Sequence, residues 1–236
     1  MDTHVRDLTE VTHIVELLDH VGYVVLEDHV RGTMLEQLIA EHTEAFENRP
    51  TGVQEPSYRI GTASRALRVV RDEKRDRLPA THAFMDDPQL SAVAYAYLGM
   101  QARPNEAAYL TLDLPEPRPV TEVHYDRIHA LKSFLYLTDA DQQSGALEVV
   151  PGSRASGRAL RHAHITAGIA VADLPITVGH DAVRTIPIAA SAGTLILLDT
   201  DCLHRGGVVS AGRVRRVLRA HSHAADEGAV AMGARD

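Results

Sequence analysis

The chain of 236 residues has a single cysteine, no tryptophan, and only two lysines among 24 basic side chains. With Cys202 alone no intrachain disulfide can form, which excludes a disulfide-stapled secreted scaffold and suits a reducing, cytoplasmic setting. Long apolar runs are missing too. The opening MDTHVRDLTEVTH is charged from its second residue and holds no apolar leader, and no later stretch is long enough to span a bilayer. Nor is there a surplus of positive charge: the formal net charge is -8 and the isoelectric point near 5.9. That balance argues against a general nucleic-acid binder or a protein of acidic membranes, and leaves a small molecule or a protein as the expected partner.

What is present is the composition of a globular protein, 44% hydrophobic and 24% charged, able to bury a sizeable core. One domain over 1–236 is expected, with a helical N-terminal part (1–105), a β-rich core (106–223) and a tail (224–236). Thr9 can cap a helix through Leu18 whose apolar residues keep helical spacing, GYVVLED (22–28) reads as a strand, and Thr33 with Glu36 forms a capping box for a second helix bearing Leu35, Leu38, Ile39, His42 and Phe46. From Asn48 to about Ala80 no period is sustained. Arg59, Arg65, Arg68, Arg71, Arg75 and Arg77 gather there, as in a lid, a binding loop or a solvated surface. Asp87-Pro88 opens a third helix that Gly99 closes.

Beyond residue 106 the chain turns to short segments rich in Val, Leu, Ile, Thr and Tyr, which predict strands near 106–114, 120–126, 130–138, 146–150, 183–188, 194–200 and 213–221. PEPRP, DADQQSG, PGSRASG and SAG are the turns between them. With no helical pattern between most of these strands, the sheet should be mainly antiparallel, a sandwich or barrel with helices packed outside.

Fourteen histidines make chance pairs common, so each pair needs a geometric test. His42 and Glu44 sit two apart on a helix and point to different sides; His124 and Asp126 sit two apart on an expected strand and share a face. His204, after the apolar TLILLDTDCL and before Arg205-Gly206-Gly207, where the chain is expected to turn, is the candidate third ligand. Two histidines and one carboxylate form the facial triad of non-haem Fe(II) oxygenases, whereas a structural zinc site would close four positions, preferably with cysteines. Arg215, eleven residues past His204, can grip a carboxylate with two parallel hydrogen bonds. Arg213 shares its face. Lys132, six residues past Asp126, falls on the face of the HxD pair and would need an anionic partner.

The segments HYD (124–126), GALEVVPGSR (145–154) and LLDTDCLHRGG followed by Arg215 resemble the phytanoyl-CoA dioxygenase (PhyH)-like family of Fe(II)/2-oxoglutarate-dependent oxygenases, over about residues 11 to 221. The resemblance implies a double-stranded β-helix (jelly-roll, cupin-like barrel) with N-terminal helices outside it. It implies Fe(II), 2-oxoglutarate and O2 as cofactor and cosubstrates, with His124, Asp126 and His204 as metal ligands. Arg215, with Lys132 beside it, would hold 2-oxoglutarate. The activity implied is hydroxylation of a small molecule, as in specialised metabolism, with release of succinate and CO2. Two positions depart from the family pattern: Arg154 stands where a histidine often ends PGSH, and VVSAG lacks an asparagine frequent there. Asp126 separates the chain from halogenating relatives, which carry a small residue at that position.

Plainer readings stand beside these. His162 and His164 lie in a Gly- and Arg-rich connection, His221 and His223 at an exposed strand end, Cys202 in the core, and Tyr95 and Tyr97 on a packing face. A cupin-type metal enzyme without 2-oxoglutarate would have no use for Arg215, and a non-catalytic binding protein on the same fold would have no use for the triad.

Overall fold

The computed structural model describes residues 2–50, 53–54, 64–70, 76–115, 122–171, 174, 177–178 and 183–225. Helix α1 (Val11–His20) buries Ile14, Leu17 and Leu18, the side its apolar period selects. The helix starts after Glu10 without a side-chain cap, and the Thr9 backbone N–H and hydroxyl both donate to the Asp7 carboxylate. Strand β1 (Tyr23–Leu26) follows Gly22, whose φ of +94° and whose closeness to Cys202, 2.7 Å from where a Cβ would stand, admit only glycine. Residues 3–5 run beside β1: the Val25 N–H donates to Thr3 O at 2.9 Å and the Val5 N–H to Val25 O at 3.0 Å. Helix α2 (Gly32–Asn48) starts one residue before Thr33 with no side-chain cap, so the expected capping box is not used.

The stretch expected to be irregular is regular in part of its described residues. It holds β2 (Val53–Gln54), β3 (Ser64–Val70) and the start of α3 (Pro79–Met85), while Arg59, Arg71 and Arg75 lie outside the described residues. Strand β3 pairs with β4 (Arg103–Asp113) from Ser64 opposite Asp113 to Val70 opposite Ala107. Helix α4 (Pro88–Leu98) is as expected: the Asp87 carboxylate accepts the Gln89 N–H at 2.7 Å, and Gly99 ends the helix at a φ of +97°.

Strands β5 (Leu131–Tyr136), β6 (Leu147–Val149), β7 (Ile186–Pro187), β8 (Leu195–Asp199), β9 (His204–Gly206) and β10 (Arg215–His223) complete the sheets, with helix α5 (Arg154–Thr166) between β6 and β7. Four expectations are corrected here. Residues 122–126 form no strand, only bridges at His124; 183–188 shortens to two residues; a strand stands where a turn was expected at Arg205-Gly206; and a helix occupies what read as the turn PGSRASG and the connection after it.

Among the described residues the pairings between these strands are antiparallel, in a seven-stranded sheet of order β1-β8-β5-β10-β4-β3-β2 and a three-stranded sheet of order β7-β6-β9, while the bridge of His4 to Val25 is parallel. Alternation sorts the side chains of the larger sheet between two cores. Val24, Leu26, Leu110, Leu135, Leu197 and Leu218 pack on the apolar faces of α1, α2 and α4, and Tyr23, Val25, Phe134, Tyr136, Leu198 and Val217 face Leu147 and Val149 of the smaller sheet. The polar site lies on this second side.

His42 belongs to the first side. It is buried on α2, its Nε2–H donates to Thr111 O at 2.9 Å, and burial pushes its pKa down to about 4 although the Thr111 carbonyl opposes the shift. The ordinary unfolded value is near 6.5. Because the folded value lies lower, the unfolded chain takes the proton first as pH falls. The stabilisation is complete above pH 6.5 and is lost on descent toward pH 4, to an extent of about 3 kcal/mol. His42→Leu is therefore expected to flatten the stability profile in that window. Urea unfolding at several pH values checks this; an unchanged slope refutes it.

Candidate metal centre

Two distant segments are laced together by main-chain bonds. The His124 N–H donates to His204 O at 3.0 Å, the His204 N–H to His124 O at 2.8 Å, and the Asp126 N–H to Thr200 O at 3.0 Å. The Thr200 hydroxyl accepts the Ala130 N–H at 2.8 Å. This lacing turns His124 and Asp126 to one side without a regular strand and sets His204 beside them.

His124 Nδ1–H donates to Glu122 O at 2.8 Å and His204 Nδ1–H to Cys202 O at 2.7 Å. A carbonyl only accepts, so both rings carry their proton on Nδ1 and offer the Nε2 lone pair to the site. Asp126 Oδ1 lies 3.7 Å from His124 Nε2 and 3.5 Å from His204 Nε2. One ligand atom from each of the three residues lies within 4.8 Å of the others. Donors about 2.1 Å from one ion stand roughly 3–4 Å apart, so the spacing fits a shared metal. His204 Nε2 is moreover buried without a hydrogen-bond partner, a condition that costs free energy unless something else satisfies the nitrogen.

The charge state fits as well. Burial opposes ionisation of Asp126, but the Lys132 ammonium 2.6 Å from Oδ2 holds the carboxyl well below the usual carboxylate range. Burial, with His204 adjacent, pushes His124 down to about 4. At neutral pH His124 is thus a neutral imidazole beside a carboxylate, as binding of a divalent ion requires. The anionic partner that Lys132 needed is Asp126.

Arg215 is 6% exposed; its Nε donates to Asp113 Oδ2 at 2.9 Å and its Nη1 to the Gly145 carbonyl. It opens, with His124, His204, Lys132, Phe134 and Arg219, onto one cleft. Arg213 does not share this position: it precedes β10, is exposed, and its Nη2 lies 3.4 Å from Gln143 Oε1.

A second cluster, His129, Asp199 and Asp201, also has metal-like spacing. Its carboxylates are already matched by cations. Asp199 accepts from Arg154 Nε at 2.6 Å, His129 Nε2 at 3.1 Å and the Tyr97 hydroxyl, and Asp201 takes Arg161 Nε at 2.8 Å and Nη2 at 3.0 Å. These bonds hold Asp199 far below the usual carboxylate range against the cost of burial, so the cluster is an ion-pair brace. It gives Arg154, the departure at PGSR, its reason, and makes Tyr97 more than packing. The available signal was the pair of aspartates in LLDTDCLH.

The other histidines divide. His164 Nδ1 is 2.9 Å from the Tyr125 hydroxyl, and His162 belongs to no metal-like group among the described residues. His221 and His223 are not exposed as expected: His223 is 9% exposed with Nδ1 2.5 Å from Glu106 Oε1, and burial beside Lys132 and Arg219 holds His221 well below its ordinary range. Cys202 is buried as expected, its thiol pushed up to about 11 and so unreactive at neutral pH.

A seven-stranded antiparallel sheet facing a three-stranded one, with two imidazoles and a carboxylate converging between them, defines a jelly roll of the double-stranded β-helix type. The Phytanoyl-CoA dioxygenase (PhyH) profile matches residues 18–217, and the chain belongs to that family. It is accordingly an enzyme of the Fe(II)/2-oxoglutarate-dependent oxygenase class, whose members use Fe(II), 2-oxoglutarate and O2. Among solved structures the chain is similar in fold to the non-heme alpha ketoglutarate dependent carbocyclase SnoK from nogalamycin biosynthesis, with 18% identity, a TM-score of 0.68, and 90% of this chain and 83% of SnoK covered. It is similar also to the epimerase SnoN from the same biosynthesis, at 16% identity and a TM-score of 0.63 over 92% of this chain and 84% of SnoN. HygX from Streptomyces hygroscopicus, solved with nickel and 2-oxoglutarate bound, shows 14% identity and a TM-score of 0.60 over 90% of this chain and 86% of HygX. No curated protein matches the sequence. Among the described residues no helix is long and apolar enough to cross a membrane.

Proposed function

We propose that the protein hydroxylates a small-molecule substrate, with His124, Asp126 and His204 as the Fe(II) ligands and Arg215 as the anchor for the distal carboxylate of 2-oxoglutarate. The observation that carries this reading is the convergence of two Nε2 lone pairs and one carboxylate oxygen within 4.8 Å. Bound there, iron with 2-oxoglutarate and O2 supplies the oxidising power, releasing succinate and CO2 as a substrate C–H bond is oxidised.

The chain's part is to position and exclude. Carbonyl acceptors at Glu122 and Cys202 keep both ligand nitrogens deprotonated and aimed. Lys132 occupies Asp126 Oδ2, which leaves Oδ1 for the metal and sets the ammonium beside the cosubstrate position. Arg215 presents a buried guanidinium whose orientation is fixed by Asp113, and Phe134, Leu147, Leu198 and Val209 form apolar walls that keep water from the reacting centre. A carboxylate at position 126 fills the coordination place that halogenating relatives keep for chloride, and the nogalamycin origin of SnoK and SnoN fits a substrate from specialised metabolism.

Substitution of Arg215 tests the cosubstrate assignment. Anaerobic titration of the Fe(II) protein with 2-oxoglutarate should produce a visible charge-transfer band. In Arg215→Lys iron should be retained while 2-oxoglutarate affinity falls about tenfold or more, since the forked donor pair is lost. An unaltered affinity would remove Arg215 from the site.

A further inference from the structure

The inward face of the large sheet carries a row that neither the triad nor the cosubstrate uses. Register places Phe134 (β5), Arg219 (β10), Tyr109 (β4) and Arg68 (β3) side by side, cations alternating with rings. The Arg219 guanidinium lies over the Tyr109 ring, 5.7 Å from its centroid. Arg219 lines the same cleft as His124 and His204, yet its buried Nε has no hydrogen-bond partner and no carboxylate pairs with it among the described residues. A guanidinium cannot lose its charge to escape this condition.

The charges around the cleft make the point stronger. Asp113 answers Arg215 and Asp126 answers Lys132, so among the described cations that line the cleft Arg219 is left over. A ferrous ion and a doubly charged 2-oxo acid would cancel one another and leave that surplus in place. Arg219 also sits four residues past Arg215 on the same face of β10, about 13 Å along the strand.

We propose that Arg219 is the docking point for a carboxylate on the primary substrate, and hence that the enzyme selects small organic acids with an apolar body. The guanidinium takes the carboxylate through two parallel hydrogen bonds, held flat by Tyr109, while Phe134, Leu198 and Val209 receive the apolar portion. The inference rests on the oxygenase reading, because the charge count includes the iron and its cosubstrate. Substrates that are neutral or cationic would leave the Arg219 charge, with its buried Nε, unanswered and be disfavoured.

The probes are benzoate and its neutral counterpart benzamide, titrated calorimetrically into the anaerobic protein carrying Fe(II) and saturating 2-oxoglutarate. The charge-transfer band is recorded first, and its absence from the unmodified protein would strike the oxygenase reading by a signal separate from benzoate binding. With the band present, benzoate should bind about tenfold or more tightly than benzamide. Arg219→Gln should abolish that preference while keeping the band, and Arg219→Lys should retain part of it. The proposal is overturned if benzoate shows no preference, if the preference survives unchanged in Arg219→Gln, or if Arg219→Gln loses the band, which would assign Arg219 to 2-oxoglutarate instead.

Discussion

Asp126→Ala is expected to abolish iron binding and turnover and also to destabilise the fold. The catalytic loss follows from the proposed triad, because two imidazoles alone present neither the charge nor the third donor that holds iron in place. The stability loss follows from Lys132, which is only 6% exposed and has Asp126 at 2.6 Å as its counter-charge. Breaking such a pair from one side costs about 3 kcal/mol, mostly because the remaining ion is stranded in a low-dielectric site. The double variant Asp126→Ala/Lys132→Met separates the two effects: stability should largely return, and metal binding should not. Iron content after anaerobic loading, together with urea unfolding, decides the matter. Full turnover in Asp126→Ala would end the assignment.

Asp199→Ala should produce the largest purely structural effect. Its carboxylate is 0% exposed and answers Arg154, His129 and Tyr97, tying α5, the segment before β5, and α4 to the end of β8. Removal takes the buried acceptor from His129 and from Arg154, which keeps Asp19 at 3.2 Å, and about 3 kcal/mol is the usual penalty for such a loss. In a chain of this size that lowers the melting temperature by about 10 °C. Below the transition, 2-oxoglutarate binding should persist, since Asp199 does not enter the cleft. A melting temperature shifted by less than about 2 °C would show that the brace is not holding the ligand segments.

Much of the site was legible because its chemistry is local in sequence. HYD, the apolar run into His204, and an arginine eleven residues later each survive as residue types whatever the backbone does. The fold was legible where apolar periodicity was strong, as in α4 with its Asp87-Pro88 start and in β8. It was hidden where docking is not apolar. Helix α5 buries only Gly157 and Arg161, the one pressed so close to Asp201 that a Cβ would stand 1.9 Å from its carbonyl oxygen, the other bound to the Asp201 carboxylate. Contacts of that kind leave no stripe of large side chains for a period to reveal. In β3 one face carries Ala66 and Arg68, so a strand beside the margin of the large sheet read as an arginine-rich segment without a period. The HxD segment offered the reverse case: side chains two apart do face one way, but cross-chain main-chain bonds to His204 and Thr200 set them, in place of the ladder expected there.

The strip formed by residues 3–5 along β1 bears on self-association. A terminal strand with bare amides and carbonyls is a template on which another polypeptide can add itself and start stacking into fibrils, and here the opening residues of the same molecule already occupy that row. The β1 flank of the large sheet is thereby guarded by a strip of the molecule itself.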